Sequence, residues 1–215
     1  MQQIIDQTIN FVKLTLANAE TGHDWFHIER VYKTAKTINA IEGANSFVVE
    51  LAALLHDIAD SKFNNGDEEI GPRKAGEFLA SIGVDDETIT HVKEIILNLS
   101  YKASLGNVTF NSKELNVVQD ADRLDAIGAI GIARAFTYGG YKNRVLYDPA
   151  IKANLNMSKD EYKNTTAPTI NHFYEKLLLL KDLMKTETGK QMAQQRHDFM
   201  LAYLEQFYQE WDGLK

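Results

Sequence analysis

Cysteine is absent from the 215 residues. That removes every disulfide and every thiolate nucleophile or metal ligand, so a metal site here has to be built from His, Asp and Glu. An excess of basic residues is missing as well: 23 Lys and Arg stand against 30 Asp and Glu, a formal net charge of −7. A chain of that sign is a poor match for a nucleic-acid backbone, which calls for a basic stripe. A small phosphorylated ligand held in a local basic pocket stays open. No apolar run approaches the roughly 20 residues of a membrane span. The segment MQQIIDQTINFVKLTLANAE carries polar and acidic groups through its apolar pattern, without a signal peptide's continuous apolar stretch. The expectation is a cytoplasmic protein with neither a polymeric nucleic acid nor a membrane as partner. Internal repeats and low-complexity segments are also missing. No alternating run is long enough to demand a sheet, although NVTFN, residues 107–111, could form a short strand.

What is present is helical period. With 44% apolar residues the chain can bury a sizeable core, at a length that suits one large domain or a domain with an appended subdomain. Ile5, Ile9, Val12 and Leu16 recur at steps of three or four and predict an amphipathic helix over 3–19. Asp24 can cap a second helix to about Ile41, and Ser46 a third that runs into His56. After the polar segment 61–71, Pro72 suits the first turn of a helix ending near Gly83. Asp85 or Asp86 can cap the next, whose apolar face is Ile89, Val92, Ile95, Ile96 and Leu99. Residues 112–138 read as one long helix, apolar on nearly every side, as expected at the centre of a core. Residues 139–157, with Gly139, Gly140 and Pro149, read as a long irregular loop of the kind that forms lids or touches ligands. SKDE at 158–161 fits a capping box, 169–185 make another helix, and TGKQ at 188–191 fits the capping box of the last, reaching Trp211. The fold class is all-α.

Certain polar residues do not fit a core. In ELAALLHDIADSKF, residues 50–63, an apolar helix body runs into His56 and Asp57. A lone His at a helix C-terminus is favoured by the dipole, but an adjacent buried carboxylate is costly without a partner. A shared metal satisfies both. In GHDWFHIERV, residues 22–31, His23 and His27 are four apart and would share one helix face. In VVQDADRLDAIGAIGIAR, residues 117–134, Asp120, Asp122 and Asp125 interrupt the apolar helix, and carboxylates are seldom buried unless paired or coordinating. Asp122 and Asp125 share a face with Val118 and Ala129, and Asp120 lies opposite with Val117 and Leu124. Both faces are apolar, so period selects none of the three. The alternative is an ion pair of Asp122 or Asp125 with Arg30, Arg123 or Arg134.

Taken in order, a His, an adjacent His-Asp at a helix end and an Asp on a buried helix, this chain resembles the HD-domain superfamily of metal-dependent phosphohydrolases. HIERV, LAALLHDIAD and DADRLDAIGAIGIARAF match three family blocks in the right order. YGGYKNRVLYDP and TINHFYEKLLLLKDLM look like compact bacterial HD proteins of this length, some of which are nucleoside triphosphate pyrophosphohydrolases. The resemblance implies an HD-domain helical fold with a central buried helix and additional C-terminal helices. It implies one domain over 1–215, with its core at about 20–138 and a helical extension at about 158–212. As metal ligands it implies His27, in the H-x-x-R-V context, His56, Asp57, and Asp122, in the ADR context. His23 is left beside the metal or facing the substrate, and Asp120 has no assigned role. ILNLSYK holds Asn98 and Ser100 where further histidines would carry a second metal, and His91 lies two turns earlier.

Two imidazoles and two carboxylates suit one divalent transition metal, Mn first, then Fe, Co, Ni or Zn, ahead of the oxygen-preferring Mg. Asp60, three residues after Asp57, takes by analogy the task of orienting or deprotonating the attacking water. Cationic donors for a phosphorylated substrate are Lys62, Lys102, Arg30, Arg144, His172 and Lys176. The expected reaction is phosphoester or phosphoanhydride hydrolysis of a nucleotide or other small phosphorylated metabolite, most concretely pyrophosphohydrolysis of a (d)NTP. The alternatives are a 5′-nucleotidase or another phosphomonoesterase or phosphodiesterase and, outside enzymes, a nucleotide- or metal-binding sensor. A homodimer stays open.

Overall fold

The computed structural model describes residues 1–17, 19, 22–59, 67, 69–99, 110–157 and 165–215. Among the described residues helices are the only regular elements, and the chain divides into two compact units. The first contains Met1–Asp122 with Lys185–Gly189, and the second Arg123–Met184 with Lys190–Lys215. No helix among the described residues is long and apolar enough to cross a membrane.

The first unit is built on α1 (Gln2–Thr15), α2 (Trp25–Glu42), α3 (Ser46–Leu55), α4 (Ile70–Ser81), α5 (Asp86–Leu99) and the larger part of α6 (Lys113–Asp125). The sequence of α3, SFVVELAALL, is apolar around its whole circumference. Leu51 through Leu55 are sealed from solvent, and the helix packs on α1, α2 and α5, while α4 packs on α5. An element apolar on all sides has no face for water and takes the interior. The turn from α2 to α3 is fixed by Asn39. Its side-chain amide donates to the Ala44 carbonyl and to Ser46 Oγ, and its oxygen accepts from the Ala44 N–H at 2.8 Å. Asn45, rather than Ser46, caps α3: its Oδ1 accepts from the N–H groups of Phe47 and Val48. The Ser46 hydroxyl is held by Asn39 and the residue is already helical, so the capping position falls one earlier. Asp85 caps α5, its Oδ1 accepting from the Thr88 N–H.

The segment expected as one helix over 112–138 is two. α6 is buried through Val117, Val118, Ala121 and Leu124 and stops at Asp125, and α7 runs from Gly128 to Tyr141. Between them Ile127 is extended, and Gly128 has φ +74°, a region in which a side chain is strained. Gly131 completes the break, because a Cβ there would lie 2.2 Å from the Ala126 carbonyl oxygen. Gly139 and Gly140 belong to α7, so the irregular segment begins only after it. In the second unit 169–185 is not a single helix either: α8 (Asn171–Glu175) gives way to a 3₁₀ segment, Leu177–Leu183. Leu177 and Leu180 are both buried, and a spacing of three suits a three-residue turn. The final helix, α9 (Glu187–Trp211), starts before TGKQ. Its first turn is capped by the Thr186 hydroxyl, which accepts from the Gly189 N–H, while the Thr188 N–H goes to Glu42 Oε1. Residues 158–161 and most of NVTFN lie outside the described residues.

Leu54 is fully buried in α3. Leu54→Ala is expected to destabilise the protein by about 2–5 kcal/mol in urea unfolding, the lost transfer energy plus the cavity left behind.

Candidate metal centre

The α2–α3 hairpin brings the start of one helix to the end of the other. At the start of α2, the Asp24 side chain accepts the His27 N–H at 3.0 Å and holds the backbone under a buried imidazole. At the end of α3, His56 is the C-cap. Its Nδ1 lies 2.8 Å from the Ala53 carbonyl oxygen. A carbonyl can only accept, so this nitrogen carries the proton and Nε2 presents a lone pair. Burial in the first place pushes the His56 pKa down, against the opposing pull of Asp122, so the ring is neutral. His56 Nε2 faces His27 Nε2 at 3.3 Å. From α6, Asp122 Oδ1 lies 3.5 Å from His27 Nε2 and 3.8 Å from His56 Nε2.

Asp57 completes the group. One ligand atom each from His27, His56 and Asp57 falls within 4.8 Å of the others. Burial raises the Asp57 pKa, but the hydrogen bond from His23 and the nearby imidazoles outweigh it, and the carboxyl is held below its usual range. Imidazole lone pairs and carboxylate oxygens converging in a largely buried space repel unless a cation or proton lies among them. With its backbone-fixed tautomer, the mixed N/O donor set fits a divalent cation.

Known proteins resemble this chain over most of its length. The HD domain family model matches residues 25–127. Of solved structures, an HD-superfamily hydrolase from Bacillus thuringiensis is 46% identical, with 98% of each chain covered and a TM-score of 0.79. A Lactobacillus plantarum protein is 36% identical, covering 99% of this chain and 98% of its own, with a TM-score of 0.83. Bacillus subtilis YpgQ is 36% identical over 211 residues, 97% of this chain and 94% of that protein. Its structure in complex with ADP covers 97% of this chain and 95% of its own at 38% identity, with a TM-score of 0.76. The chain belongs to the HD superfamily. It is a metal-dependent phosphohydrolase, and the His-His-Asp group of an HD protein that binds a divalent metal is present.

For this HD protein the sequence expectations for other residues fare unevenly. Asp60, Lys62 and Lys102 lie outside the described residues. Arg30 is half-buried on α2, one turn past His27. Arg144, His172 and Lys176 fall in the second unit. There burial first, and then the positive charges of Lys176 and Arg144, push the His172 pKa down to about 4. Arg144 also donates to the Thr165 carbonyl at 2.7 Å. His91 meets Ser112 Oγ at 3.0 Å and Glu114 Oε2 at 3.6 Å. α3 ends at Leu55, so Asp57 stands beyond the helix. His23 does not share a helix face with His27. It precedes the cap Asp24, and its Nδ1 meets Asp57 Oδ2 at 2.5 Å. Asp24's capping role carried the only sequence signal for this, since a residue before the cap is outside the helix.

The three aspartates of α6 separate by partner. Asp125 pairs with Arg134 across the α6–α7 break. Asp120, with no exposure, accepts from the Lys185 N–H with both oxygens and from the Thr186 N–H and hydroxyl with Oδ2. Asp120→Ala strands these buried donors and is expected to cost about 3 kcal/mol or more in unfolding free energy. Asp122→Ala is expected to change stability of the metal-free protein by less than about 1 kcal/mol. Chemical denaturation of the two variants checks the contrast. His172 is expected to stay neutral across pH 5–7 in an NMR titration of its imidazole, against about 6.5 for an unperturbed ring. Its folded pKa lies below the unfolded one. The unfolded chain therefore takes up the proton first, and this residue's contribution to stability falls as pH drops from about 6.5 towards about 4.

Proposed function

We propose that this protein hydrolyses the phosphoanhydride of a nucleotide, most concretely a (d)NTP, giving the nucleoside monophosphate and pyrophosphate. The observation that carries this reading is the convergence of His27 Nε2 and His56 Nε2 on each other and on the carboxylates of Asp57 and Asp122. These four side chains are the proposed ligands of one divalent transition metal, Mn first. When bound, the cation supplies a Lewis acid that polarises a phosphoryl oxygen and lowers the pKa of a water. His27 and His56 contribute nitrogen donors, and Asp57 and Asp122 contribute the negative charge that offsets the cation. Asp60 is the proposed base that orients the water and takes its proton. One P–O bond breaks between the α and β phosphates, and the elements of water are added across it.

The nucleotide class is supported by YpgQ, which was crystallised with ADP. Phosphate oxygens call for cationic donors, and Arg30, Lys62 and Lys102 are proposed for that task. The second unit offers a cationic group of its own, Arg144 and Lys176 beside the half-buried His172, of a kind that suits an anion. The proposed unit of function is the single domain over 1–215, acting in the cytoplasm.

The test is a nucleotide panel with Mn, in which pyrophosphate and orthophosphate are quantified separately. Pyrophosphate and monophosphate in equal amounts are expected from a (d)NTP, and His56→Ala and Asp57→Asn are expected to lose more than about 100-fold in rate. Orthophosphate released from monophosphates, with triphosphates untouched, would replace this reading with a phosphomonoesterase on the same centre.

A further inference from the structure

We infer that His23 is a positioning residue of the metal centre, holding one oxygen of Asp57 so that the other is presented to the cation. The inference rests on the proposed ligand set, and it concerns a residue to which that set gives no role.

The observation is the contact between His23 Nδ1 and Asp57 Oδ2 at 2.5 Å, made across 34 residues of sequence. The His23 side chain is 45% exposed and that of Asp57 is 20% exposed, so the bond ties a largely sheltered carboxylate to a more open imidazole. The backbone is shaped to make it. Gly22 has φ +110°, a conformation a side chain rarely adopts, and it directs the chain into His23 just ahead of the helix cap. Asp24 then caps α2 and fixes His27. Within five residues the segment places one proposed ligand, His27, and the clamp on another, Asp57.

Asp57 has a particular need for a clamp. His27 sits inside α2, Asp122 sits inside α6, and His56 is tied through Nδ1 to the Ala53 carbonyl. Asp57 follows the end of α3, where no helical turn sets its direction. A carboxylate with two equivalent oxygens can rotate or chelate through both. An N–H donated to Oδ2 removes that freedom and leaves Oδ1 for the cation. Groups that orient a ligand in this way typically change metal affinity by about 10–100-fold when removed.

The experiment titrates Mn(II) into metal-stripped wild type, His23→Ala, His23→Asn and His56→Ala, with free Mn(II) read from its EPR signal. Circular dichroism and the melting temperature of each metal-free variant are recorded alongside. His23→Ala is expected to bind Mn(II) about 10–100-fold more weakly than wild type. His23→Asn, whose side-chain N–H can reach the same oxygen, is expected to recover most of that loss. Wild-type affinity in His23→Ala, with His56→Ala binding poorly, would overturn the positioning role and leave the metal centre standing. Wild-type affinity in His56→Ala would overturn the metal centre itself. An Asn variant as weak as the Ala variant would also overturn the positioning role. Should His23→Ala fail to fold, His23→Asn and His23→Gln carry the comparison: Asn near wild type supports the clamp, and both variants weakened alike overturn it.

Discussion

His27 Nε2 and His56 Nε2 face each other at 3.3 Å with a carboxylate oxygen of Asp122 beside both, an arrangement that calls for a proton or a cation among these atoms. Much else in the first unit holds those groups together. The Ala53 carbonyl fixes the His56 tautomer, so Nε2 of the neutral ring faces the site as an acceptor. Asp24 pins the backbone of His27. α3, apolar on every side and packed on three other helices, is a rigid arm whose end cannot retreat without opening the core. The apolar interior and the site are thus joined through one helix.

The regular helix ends at Leu55, His56 is its cap with helical backbone angles, and Asp57 follows it, so both side chains stand at the same end of α3. There the His23 contact at 2.5 Å ties one oxygen of Asp57 to the segment that leads into α2.

Much of this was legible in the residues. The helical class, the apolar α3, the Asp24 cap and the His-Asp pair at the helix end all follow from local pattern, because each depends on neighbours within one or two turns. What was not legible depended on distant partners. Asp120 and Asp125 looked as eligible as Asp122 from periodicity alone, since both faces of α6 are buried. Only the fold brings Lys185 and Thr186 to Asp120, 65 and 66 residues away, and turns Arg134 back onto Asp125. The break at Gly128 was hidden by an unbroken apolar pattern on either side of it. His23 was misplaced for a different reason: a four-residue spacing suggests a shared helix face, yet a cap at Asp24 places His23 outside the helix. Where two local signals conflict, the cap is the better guide, because it marks where the backbone becomes helical.

The overall charge of −7 raises a last question of balance. A polyphosphate approaching an acidic chain is repelled at long range, and the proposed ligands add two further carboxylates at the site itself. A divalent cation cancels those two charges and no more, so the centre offers a phosphate no net attraction beyond the cation's direct coordination. Binding must therefore draw on Lys and Arg donors placed near the substrate. Salt screens the long-range repulsion over about 8–10 Å but weakens coordination at the metal far less. Coordination to the metal and a few placed donors suits a small ligand, whereas a net negative chain is a poor match for the long, evenly charged backbone of a nucleic acid. The net charge therefore fits the proposed small phosphorylated substrate better than a polymeric nucleic acid.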